Sequence, residues 1–409
     1  MKYTFIFLMD VSLTGSEQGR STVTRFKNLA TYFSLNEHNT YWISCRGDKK
    51  FLAKNKYNSI NDFSFHSKLR TIYPLLLFFQ ILFLYFKKHP IKIISFCPSL
   101  REGLPPLFIN LFSLNKVLYY IDYMDLSPYN LSLKPEIRFL EFLLEKTVIM
   151  RAKKISVISP FLTSWVRALG VSPNMIHLIP LSISDIKNDN EDIYTNNSIT
   201  FETKLNQIKI SEEIKKWIQQ VKTEPDSYLI GYQGSIHPHQ GLDLLLAAFS
   251  DEKLNSFHLL LSGGASTKHT AYENKLGDQI KKINSNKPRD KIKITGYLRS
   301  KDIQPIISLF DYGIVPKPQS VLSEATFPSK ALRYLIEGIP IVSTPSGWLK
   351  ELTLSTEGLL TKGYTANLMV EALLSIKGKE KLKKEHKEYI YRNFNPNFIL
   401  SKWIRFLSQ

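Results

Sequence analysis

The residues with the clearest chemical potential lie in the stretch Phe327 to Thr344, which reads FPSKALRYLIEGIPIVST. Pro328 and Ser329 suit the first positions of a helix, because proline presets φ and its missing N–H is not needed there. Lys330 would then lie in the first turn. Free backbone N–H groups, the helix dipole and a lysine ammonium together favour a bound phosphate. The stretch therefore predicts an anion site at a helix start, with Ser329 and Lys330 as ligands.

The rest of this stretch predicts the elements that would hold the site above a sheet. A helix is indicated by apolar residues at helical spacing, namely Ala331, Leu332, Leu335 and Ile336. Gly338 supplies the left-handed residue that commonly ends a helix. Ile339 to Val342 is a short apolar run, typical of a parallel strand covered on both faces. The predicted helix therefore starts at the cleft side of a parallel sheet.

A second candidate phosphate site is the loop Gly234 to Gly241, which reads GSIHPHQG. The loop follows a predicted strand and precedes a predicted helix, so it lies at the carboxyl end of a strand. Ser235 and Gln240 can donate hydrogen bonds to a phosphate, alongside backbone N–H groups. His237 and His239 are more typical of solvated loop residues than of acid–base groups.

Two more predicted strands in the second half of the chain end in candidate residues. The strand Phe257 to Leu261 is followed by Gly263. The strand Lys291 to Tyr297 ends in the turn residues Thr295, Gly296 and Tyr297. Ligands of doubly wound sheets bind outside the carboxyl ends of the strands, so these residues are expected at the same cleft.

Candidates in the first half follow the same rule. The predicted strand Tyr3 to Met9 leads into the loop Asp10 to Arg20, which contains Gly15 and Ser16. A glycine-containing loop between a strand and a helix is typical of the first unit of a doubly wound sheet, and also of an ordinary turn. Asp125 follows another predicted strand, where its carboxylate could hold a hydroxyl group. An aspartate close before a proline is also common turn chemistry.

Strands alternate with helices through both halves of the 409-residue chain. This alternation predicts an α/β protein with two Rossmann-like, doubly wound parallel-sheet domains facing a central cleft. We assign residues 1–185 to the first domain and 227–390 to the second. The polar residues 186–226 are predicted as a linker or insertion, and residues 391–409 as a last helix.

Two neighbouring segments of the first half are harder to interpret. Residues Lys49 to Arg70 carry many lysines and no clear period, and are predicted as loop and short helix. Ile72 to Phe86 is an apolar helix that fits either the core of the first domain or a membrane surface, where Lys87 and Lys88 would assist. Its longest apolar run, Leu75 to Phe86, is too short to span a bilayer.

Composition restricts the classes of function. The net charge of +18 fits a lysine-rich solvated surface or attraction to an anionic partner, either nucleic acid or anionic lipid. No aromatic–basic stripe or known motif supports nucleic acid. Cys45 and Cys97 are predicted to be buried, reduced thiols, with no metal spacing and no disulfide framework. Tyr3 to Met9 is too short for a signal peptide, so a cytoplasmic protein is expected.

The stretch Pro328 to Pro340 resembles the motif P-S-K-x-x-E-Y-x-x-x-G-x-P of GT-B glycosyltransferases of family 4, also called group 1. Arg333 stands where the motif has a donor-binding glutamate. The loop at Gly234 resembles the family's G-R-L-x-x-x-K-G, with Ser235 and Gln240 in place of its arginine and lysine. Bacterial polysaccharide-biosynthesis members with a similar P-S-K motif also have glutamine at the latter position.

The resemblance implies roles for the remaining candidates. Arg333 would be an additional phosphate cation beside Lys330, or its presence would mark lost ribose binding. The family's other glutamate falls on Ala325, and Glu324 could substitute for it. Asp125 lies in a segment similar to R-D-L-W-P and would hold the acceptor hydroxyl. Donor contacts are implied for the following residues: Gly15, Ser16, Arg20, Gly234, Ser235, Gln240, Gly263, Thr295, Gly296, Tyr297, Glu324 and Ser329.

The activity implied is that of a retaining, metal-independent hexosyl- or N-acetylhexosaminyl-type glycosyltransferase. It would move a sugar from a nucleotide-sugar to a saccharide or lipid-linked acceptor in bacterial surface polysaccharide synthesis, with no cofactor and no nucleic-acid partner. The resemblance places the acceptor on the first domain, the nucleotide-sugar on the second, and the last helix across to the first. Peripheral contact with the cytoplasmic face of the inner membrane is a further expectation. The alternatives are a GT-B subunit that binds without catalysis, motivated by the changes at Ser235, Gln240, Ala325 and Arg333, and an epimerase of the same fold.

Overall fold

The computed structural model describes the helices and strands of the chain and most of the turns between them. The residues it describes are 3–9, 21–47, 52–57, 60–66, 73–87, 90–96, 100–112, 117–124, 126, 135–183, 200–264, 270–285, 287, 289–376 and 384–408. The chain divides into two compact units. The first unit comprises Met1–Ile186, Ala325–Phe327 and Pro396–Gln409, and the second comprises Lys187–Glu324 and Pro328–Asn395.

An eight-stranded sheet forms the centre of the first unit. Its strands are β1 Thr4–Met9, β2 Asn39–Gly47, β3 Leu52–Tyr57, β4 Ile60–His66, β5 Ile91–Phe96, β6 Val117–Tyr123, β7 Lys154–Val157 and β8 Ile176–Leu178. Their order across the sheet is β3-β4-β2-β1-β5-β6-β7-β8. The β3–β4 pair is antiparallel and the other neighbours are parallel. All six residues of β1 are buried, as expected for an apolar strand covered on both faces.

The helices of the first unit cover both faces of this sheet. They are α1 Ser21–Leu35, α2 Tyr73–Lys87, α3 Leu100–Phe112, α4 Pro135–Arg151 and α5 Pro160–Ala168. The chain crosses the sheet in one direction from β1 to β2 and in the other direction from β4 to β8. Right-handed crossovers therefore place α1 on one face and α2 to α5 on the opposite face. Helices α2 and α3 are in contact, as are α3 and α4.

The prediction of a loop and short helix over Lys49 to Arg70 is wrong. The structure has the β3–β4 hairpin there, and β4 continues the sheet beside β2. The sequence of β3, LAKNKY, places Lys54 and Lys56 in an edge strand. Charged residues on an edge strand discourage pairing with other chains, and they also remove the apolar pattern from which a strand is predicted.

The second unit contains a six-stranded parallel sheet. Its strands are β9 Tyr228–Gln233, β10 Phe257–Ser262, β11 Ile292–Gly296, β12 Tyr312–Val315, β13 Ile341–Ser343 and β14 Leu359–Leu360. The strand order is β11-β10-β9-β12-β13-β14, which is that of a Rossmann fold. The predicted fold class, with two Rossmann-like parallel sheets, is confirmed.

Ten helices of the second unit belong to the described part of the chain. They are α6 Phe201–Gln207, α7 Glu212–Thr223, α8 Leu242–Phe249, α9 Thr270–Ser285, α10 Ser300–Ile307, α11 Val321–Ala325, α12 Ser329–Ile336, α13 Gly347–Ser355, α14 Ala366–Leu374 and α15 Lys384–Phe394. Residues of β9, β10, α8, α9 and α14 form one buried apolar cluster. This cluster fixes the carboxyl ends of the central strands relative to the helices that follow them.

The last helix, α16 (Pro396–Ser408), packs on the first unit. Its residues Ile399, Trp403, Phe406 and Leu407 join the buried cluster formed with β1 and α1. Two lysines from the sheet approach its C-terminus. The ammonium of Lys92 donates to the carbonyl of Leu407, and that of Lys154 donates to the carbonyl of Phe406 at 3.3 Å. Both interactions complement the negative end of the helix dipole.

A buried ion pair joins α1 to β6 in the first unit. Arg25 donates from Nε and Nη2 to the two carboxylate oxygens of Asp122, at 2.8 and 3.0 Å. The Ser156 hydroxyl donates to the same carboxylate at 2.6 Å. Burial raises the pKa of Asp122, and the nearby Arg25 and Ser156 oppose that rise. The Arg25 guanidinium also lies 4.9 Å from the ring centre of Trp403, so the same group contacts α16.

Candidate active site of the second unit

The carboxyl ends of β9 and β12 lie side by side where the strand order of the second unit reverses. The loop 234–241 follows β9 and ends at Gly241, immediately before α8. A Cβ on Gly241 would lie 1.6 Å from the carbonyl oxygen of Pro316, the residue after β12. The end of this loop is therefore in close contact with the segment that follows β12. Doubly wound proteins bind their ligands in the crevice at such a point.

Lys330, in the first turn of α12, is the centre of a hydrogen-bond network at this crevice. Its ammonium donates to the hydroxyl of Tyr232 at 2.7 Å and to the side-chain oxygen of Gln240 at 2.7 Å. The Tyr232 hydroxyl in turn donates to the carbonyl oxygen of Ser235 at 2.9 Å. Lys330 thereby links the end of β9, the loop after it and the start of α12.

Gly234 lets the Lys330 side chain lie directly against the end of β9. Its φ is 147°, which strains residues with a side chain. A Cβ at this position would lie 2.3 Å from Cε and 2.4 Å from Nζ of Lys330. The backbone conformation therefore favours glycine here, and a side chain at this position would displace the lysine.

The electrostatics of this site are unusual because several cations lie close together. Burial lowers the pKa of Lys330 well below its usual value, and the positive charges of Lys317 and Arg333 lower it further. Its two hydrogen-bond acceptors, Tyr232 and Gln240, are neutral. A bound anion would supply the negative charge that these acceptors lack.

The start of α12 adds backbone donors to the same place. The residue before the helix is Pro328, and no side chain caps the first turn. The first N–H groups of a helix have no acceptor within the helix and attract anions. Tyr334 fixes the helix to the sheet, because its hydroxyl accepts a hydrogen bond from the backbone N–H of Gln233 at 2.7 Å. The predicted ligands Ser329 and Lys330 are the first two residues of this helix.

The histidines of the loop contribute to its shape. His237 accepts a hydrogen bond through Nδ1 from the backbone N–H of His239 at 3.2 Å. The centres of the two imidazole rings are 4.6 Å apart. The bond caps the short turn Pro238–Gln240, which presents Gln240 to Lys330.

The carboxylate of Glu324 accepts hydrogen bonds from two groups of the second unit. One oxygen accepts from the backbone N–H of Gly347 at 2.7 Å, and the other accepts from the Tyr364 hydroxyl at 3.4 Å. Because Gly347 is the first residue of α13, Glu324 caps the start of that helix. Its predicted contact with a donor stays a prediction.

The end of β11 presents an exposed aromatic residue. Gly263 and Gly296 form a backbone bridge between the ends of β10 and β11. The Thr295 hydroxyl donates to the carbonyl of Gly296 at 2.9 Å. Tyr297 follows with 90% of its surface exposed. Its ring and the backbone around it are available to a flat ligand such as a nucleobase.

The structure brings together the second-unit residues Gly234, Ser235, Gln240, Ser329, Lys330 and Arg333. Gly15, Ser16, Arg20 and Asp125, predicted for the first domain, lie outside the described residues. Two contributors, Tyr232 and Lys317, were missed. Tyr232 is in the buried strand β9, where no local signal distinguishes it from a core residue. Among the described residues, no group of three or more His, Cys, Asp or Glu side chains is arranged to hold a metal ion.

Comparison with known proteins adds independent information on the second unit. Residues 227–377 match the family model described as Glycosyl transferases group 1. This region contains β9 to β14, the loop 234–241 and α12. Among curated proteins, no sequence matches the chain.

Solved structures share the fold over the whole chain. HepE of Anabaena, in complex with UDP, is 14% identical, covers 100% of both chains and has a TM-score of 0.69. Sucrose-phosphate synthase of Thermosynechococcus elongatus is 16% identical, with coverage of 100% of this chain and 99% of that chain and a TM-score of 0.70. A glycosyltransferase of Rickettsia africae is 16% identical, covers 99% of both chains and has a TM-score of 0.69. The chain therefore has the GT-B fold, and residues 227–377 of its second unit match the family model of group 1 glycosyl transferases.

Proposed function

We propose that the protein is a glycosyltransferase that takes its sugar from a nucleotide-sugar bound to the second unit. The observation that carries the proposal is the Lys330 network. A partly buried lysine, held by Tyr232 and Gln240, lies at a helix start and within the electrostatic influence of Lys317 and Arg333. This concentration of positive charge at the strand ends suits the diphosphate of a nucleotide-sugar.

The same groups suit the chemistry of sugar transfer. As the bond between the sugar and the diphosphate breaks, negative charge develops on the leaving phosphate oxygen. The Lys330 ammonium and the N–H groups at the start of α12 are fixed in advance, so they stabilise this charge without reorganising. Arg333, one helical turn later, adds a second cation on α12. The exposed Tyr297 and the strand-end glycines Gly263 and Gly296 are proposed to hold the nucleoside.

The finer assignment rests on the motif resemblance and on related structures. HepE binds UDP in its crystal structure, which makes a uridine nucleotide the first donor to test. We propose a retaining, metal-independent transfer of a hexosyl or N-acetylhexosaminyl group to a saccharide or lipid-linked acceptor. Surface polysaccharide synthesis in bacteria is the proposed context, because the P-S-K motif and Gln240 are similar to those of enzymes with that role.

A thermal-shift screen of the full chain against UDP, GDP, CMP, ADP and dTDP, without added metal, tests the donor site. A ligand that binds only the folded protein raises its melting temperature. We expect one nucleoside diphosphate to raise it clearly. Lys330→Gln should weaken binding of that nucleotide roughly 10- to 100-fold, the usual effect of losing a charged hydrogen bond.

The matched control is Lys281→Gln, which alters a lysine whose side chain is 83% exposed on α9. This variant should bind the nucleotide as the unaltered protein does. If no nucleotide shifts the melting temperature, or if Lys330→Gln binds as tightly as the control, the proposed donor site is wrong.

A subunit that binds a nucleotide-sugar without transferring it is the second candidate. It is favoured by the residues at the two glutamate positions of the family motif, Ala325 and Arg333, and by the use of Glu324 to cap α13. Hydrolysis or transfer assays with the nucleotide-sugar identified by the screen separate the two candidates. Tight binding with no turnover in the presence of saccharide and lipid-linked acceptors would favour the second.

A further inference from the structure

Helix α2 carries two apolar stripes with the same helical spacing. Tyr73, Leu77, Ile81 and Leu84 are buried against the first unit. Leu75, Phe79, Phe83 and Phe86 are exposed, with between 52% and 74% of their surface accessible. A surface helix of a globular domain normally places polar residues on its outer face. The outer stripe of α2 is therefore unusually apolar for the exposed face of a helix.

The exposed apolar surface continues across the neighbouring helices. Helix α3 contacts both α2 and α4 on the same side of the sheet. Phe108 of α3 is 47% exposed. Exposed apolar residues on α4 are Phe139, Leu140, Leu143 and Met150. We call the outer surface of these three helices the apolar face. Exposed apolar residues grouped on neighbouring helices of a folded domain are typical of a site of interaction.

The charge around α2 indicates what kind of surface the apolar face contacts. Between Asp62 and Glu102 the sequence contains no acidic residue. Lys68 and Arg70 precede α2 in the sequence, and Lys87 and Lys88 stand at its C-terminal end. In the sequence, basic residues thus flank the apolar segment of α2 on both sides. This arrangement is typical of helices that lie in the headgroup region of an anionic bilayer.

The length of α2 is consistent with an orientation along a membrane rather than through it. With 15 residues the helix extends about 22 Å, less than the hydrocarbon thickness of a bilayer. None of the described helices is long and apolar enough to cross a membrane. Its other stripe is buried within the first unit, so the outer stripe is the one available to lipid.

We propose that the apolar face of α2, α3 and α4 rests on the surface of an anionic phospholipid bilayer. Phe79, Phe83 and Phe86 would enter the boundary between headgroups and acyl chains, and the flanking lysines would pair with lipid phosphates. A protein partner or a second copy of the chain would need acidic groups opposite the basic ends of α2. The proposal concerns the first unit and holds whether or not the nucleotide site is catalytic.

Co-sedimentation of the full chain with vesicles tests the proposal. We expect binding to vesicles of phosphatidylglycerol and phosphatidylcholine, and much weaker binding to phosphatidylcholine alone. Phe79→Ser/Phe83→Ser should reduce binding to the anionic vesicles roughly 10-fold or more, since two half-exposed aromatic side chains no longer enter the bilayer. Lys87→Gln/Lys88→Gln should reduce binding by a similar factor, and added salt should reduce it further.

Matched substitutions in the second unit serve as controls. Leu354→Ser alters an apolar residue that is 58% exposed on α13, and Lys281→Gln/Lys282→Gln alters two exposed lysines on α9. Both controls should bind vesicles as the unaltered chain does. Equal binding by Phe79→Ser/Phe83→Ser, or no preference for anionic vesicles, overturns the proposal. A different result also overturns it. If the unaltered chain binds no vesicles but forms a concentration-dependent dimer, and Phe79→Ser/Phe83→Ser abolishes that dimer, the apolar face contacts a second copy of the chain.

Discussion

At the scale of single residues, the second unit concentrates its chemistry on Lys330. The side chain has neutral hydrogen-bond partners and cationic neighbours, so its protonated form is poorly stabilised in the free protein. An anion bound beside it would reverse this balance. Binding of a diphosphate is therefore expected to be coupled to the protonation of one lysine.

This coupling predicts a pH dependence of nucleotide affinity. The pKa of Lys330 is lowered in the free protein, chiefly by burial, and a bound diphosphate would raise it. Affinity should therefore fall as pH rises above the pKa of the free protein, by up to about tenfold per pH unit until the pKa of the complex is reached. The measurement is a titration of the nucleotide above about pH 7.5, where its own phosphate is fully ionised.

Lys330→Arg supplies the control for this experiment, because a guanidinium stays charged throughout the accessible range. The variant should show a nearly constant affinity over the interval in which that of the unaltered protein declines. Parallel curves for the two proteins would mean that another group is responsible for the pH dependence.

The residues of this network differ in how far the sequence predicts them. Lys330 and Gln240 are predictable because a helix-start signal and a glycine-bounded loop identify their positions. Tyr232 is part of a buried strand, and nothing local separates it from a core residue. The pair of Arg25 and Asp122 is 97 residues apart in sequence, so only the folded sheet reveals that the two charges are buried together. Local signals predict turns and helix starts, whereas contacts across the sheet depend on the fold.

At the scale of elements, the site depends on how closely α12 approaches the end of β9. Two contacts fix this distance, the hydrogen bond from Gln233 to Tyr334 and the contact of Lys330 with Gly234. The approach is possible because one residue of the strand end has no side chain. Because α12 and the end of β9 are in direct contact, a ligand can bind only outside the carboxyl ends of the strands.

A substitution at Gly234 should therefore disturb both folding and binding. Gly234→Ala would place a Cβ against the Lys330 side chain at a φ of 147°, with an expected loss of about 1–3 kcal/mol in the free energy of unfolding. Nucleotide binding should weaken as Lys330 moves. Urea denaturation and the thermal-shift assay measure the two effects.

Gly277→Ala is the contrasting variant. Gly277 lies inside α9, and an added Cβ would meet nothing within 4 Å. Alanine there should raise the free energy of unfolding by about 0.5–1 kcal/mol and leave nucleotide binding unchanged. If both alanine variants behave alike, the close approach of α12 to β9 does not matter for the site.

Elements also show where sequence patterns fail. The run Tyr3 to Met9 is a recognisable buried strand, because every residue after Thr4 is apolar. The strand β3 was missed because an edge strand is exposed and its charged residues serve to prevent aggregation. Helix α2 was predicted as a helix. Both of its stripes are apolar, so only the folded structure shows which stripe is buried and which is exposed.

At the scale of the whole molecule, the first unit is built from parts that are distant in sequence. The chain leaves this unit at Ile186, contributes Ala325–Phe327 to it, and returns at Pro396 with α16. Trp403 is 2% exposed in the cluster that α16 completes, and the Arg25 guanidinium lies against its ring. The stability of the first unit is therefore expected to depend on the last residues of the chain.

Paired alanine variants in α16 test this dependence. Trp403→Ala should lower the free energy of unfolding of the first unit by about 3–5 kcal/mol, because a large buried side chain is lost. Ile404→Ala, at a neighbouring residue that is 36% exposed, should cost about 1 kcal/mol or less. Urea denaturation followed by tryptophan fluorescence and circular dichroism gives both values. If the two variants lower the free energy of unfolding by similar amounts, the packing of Trp403 against the first unit contributes little to its stability.

The return of α16 also has a consequence for biosynthesis. A ribosome that has translated residue 186 must add 210 more residues, the difference between 396 and 186, before α16 begins to appear. At typical rates of about 5–20 residues per second this takes roughly 10–40 s. During that time the surface that later covers Ile399, Trp403 and Phe406 stays open, and Lys92 and Lys154 have no helix terminus to meet. The second unit can finish folding first, so the first unit is expected to be the last part of the nascent chain to fold.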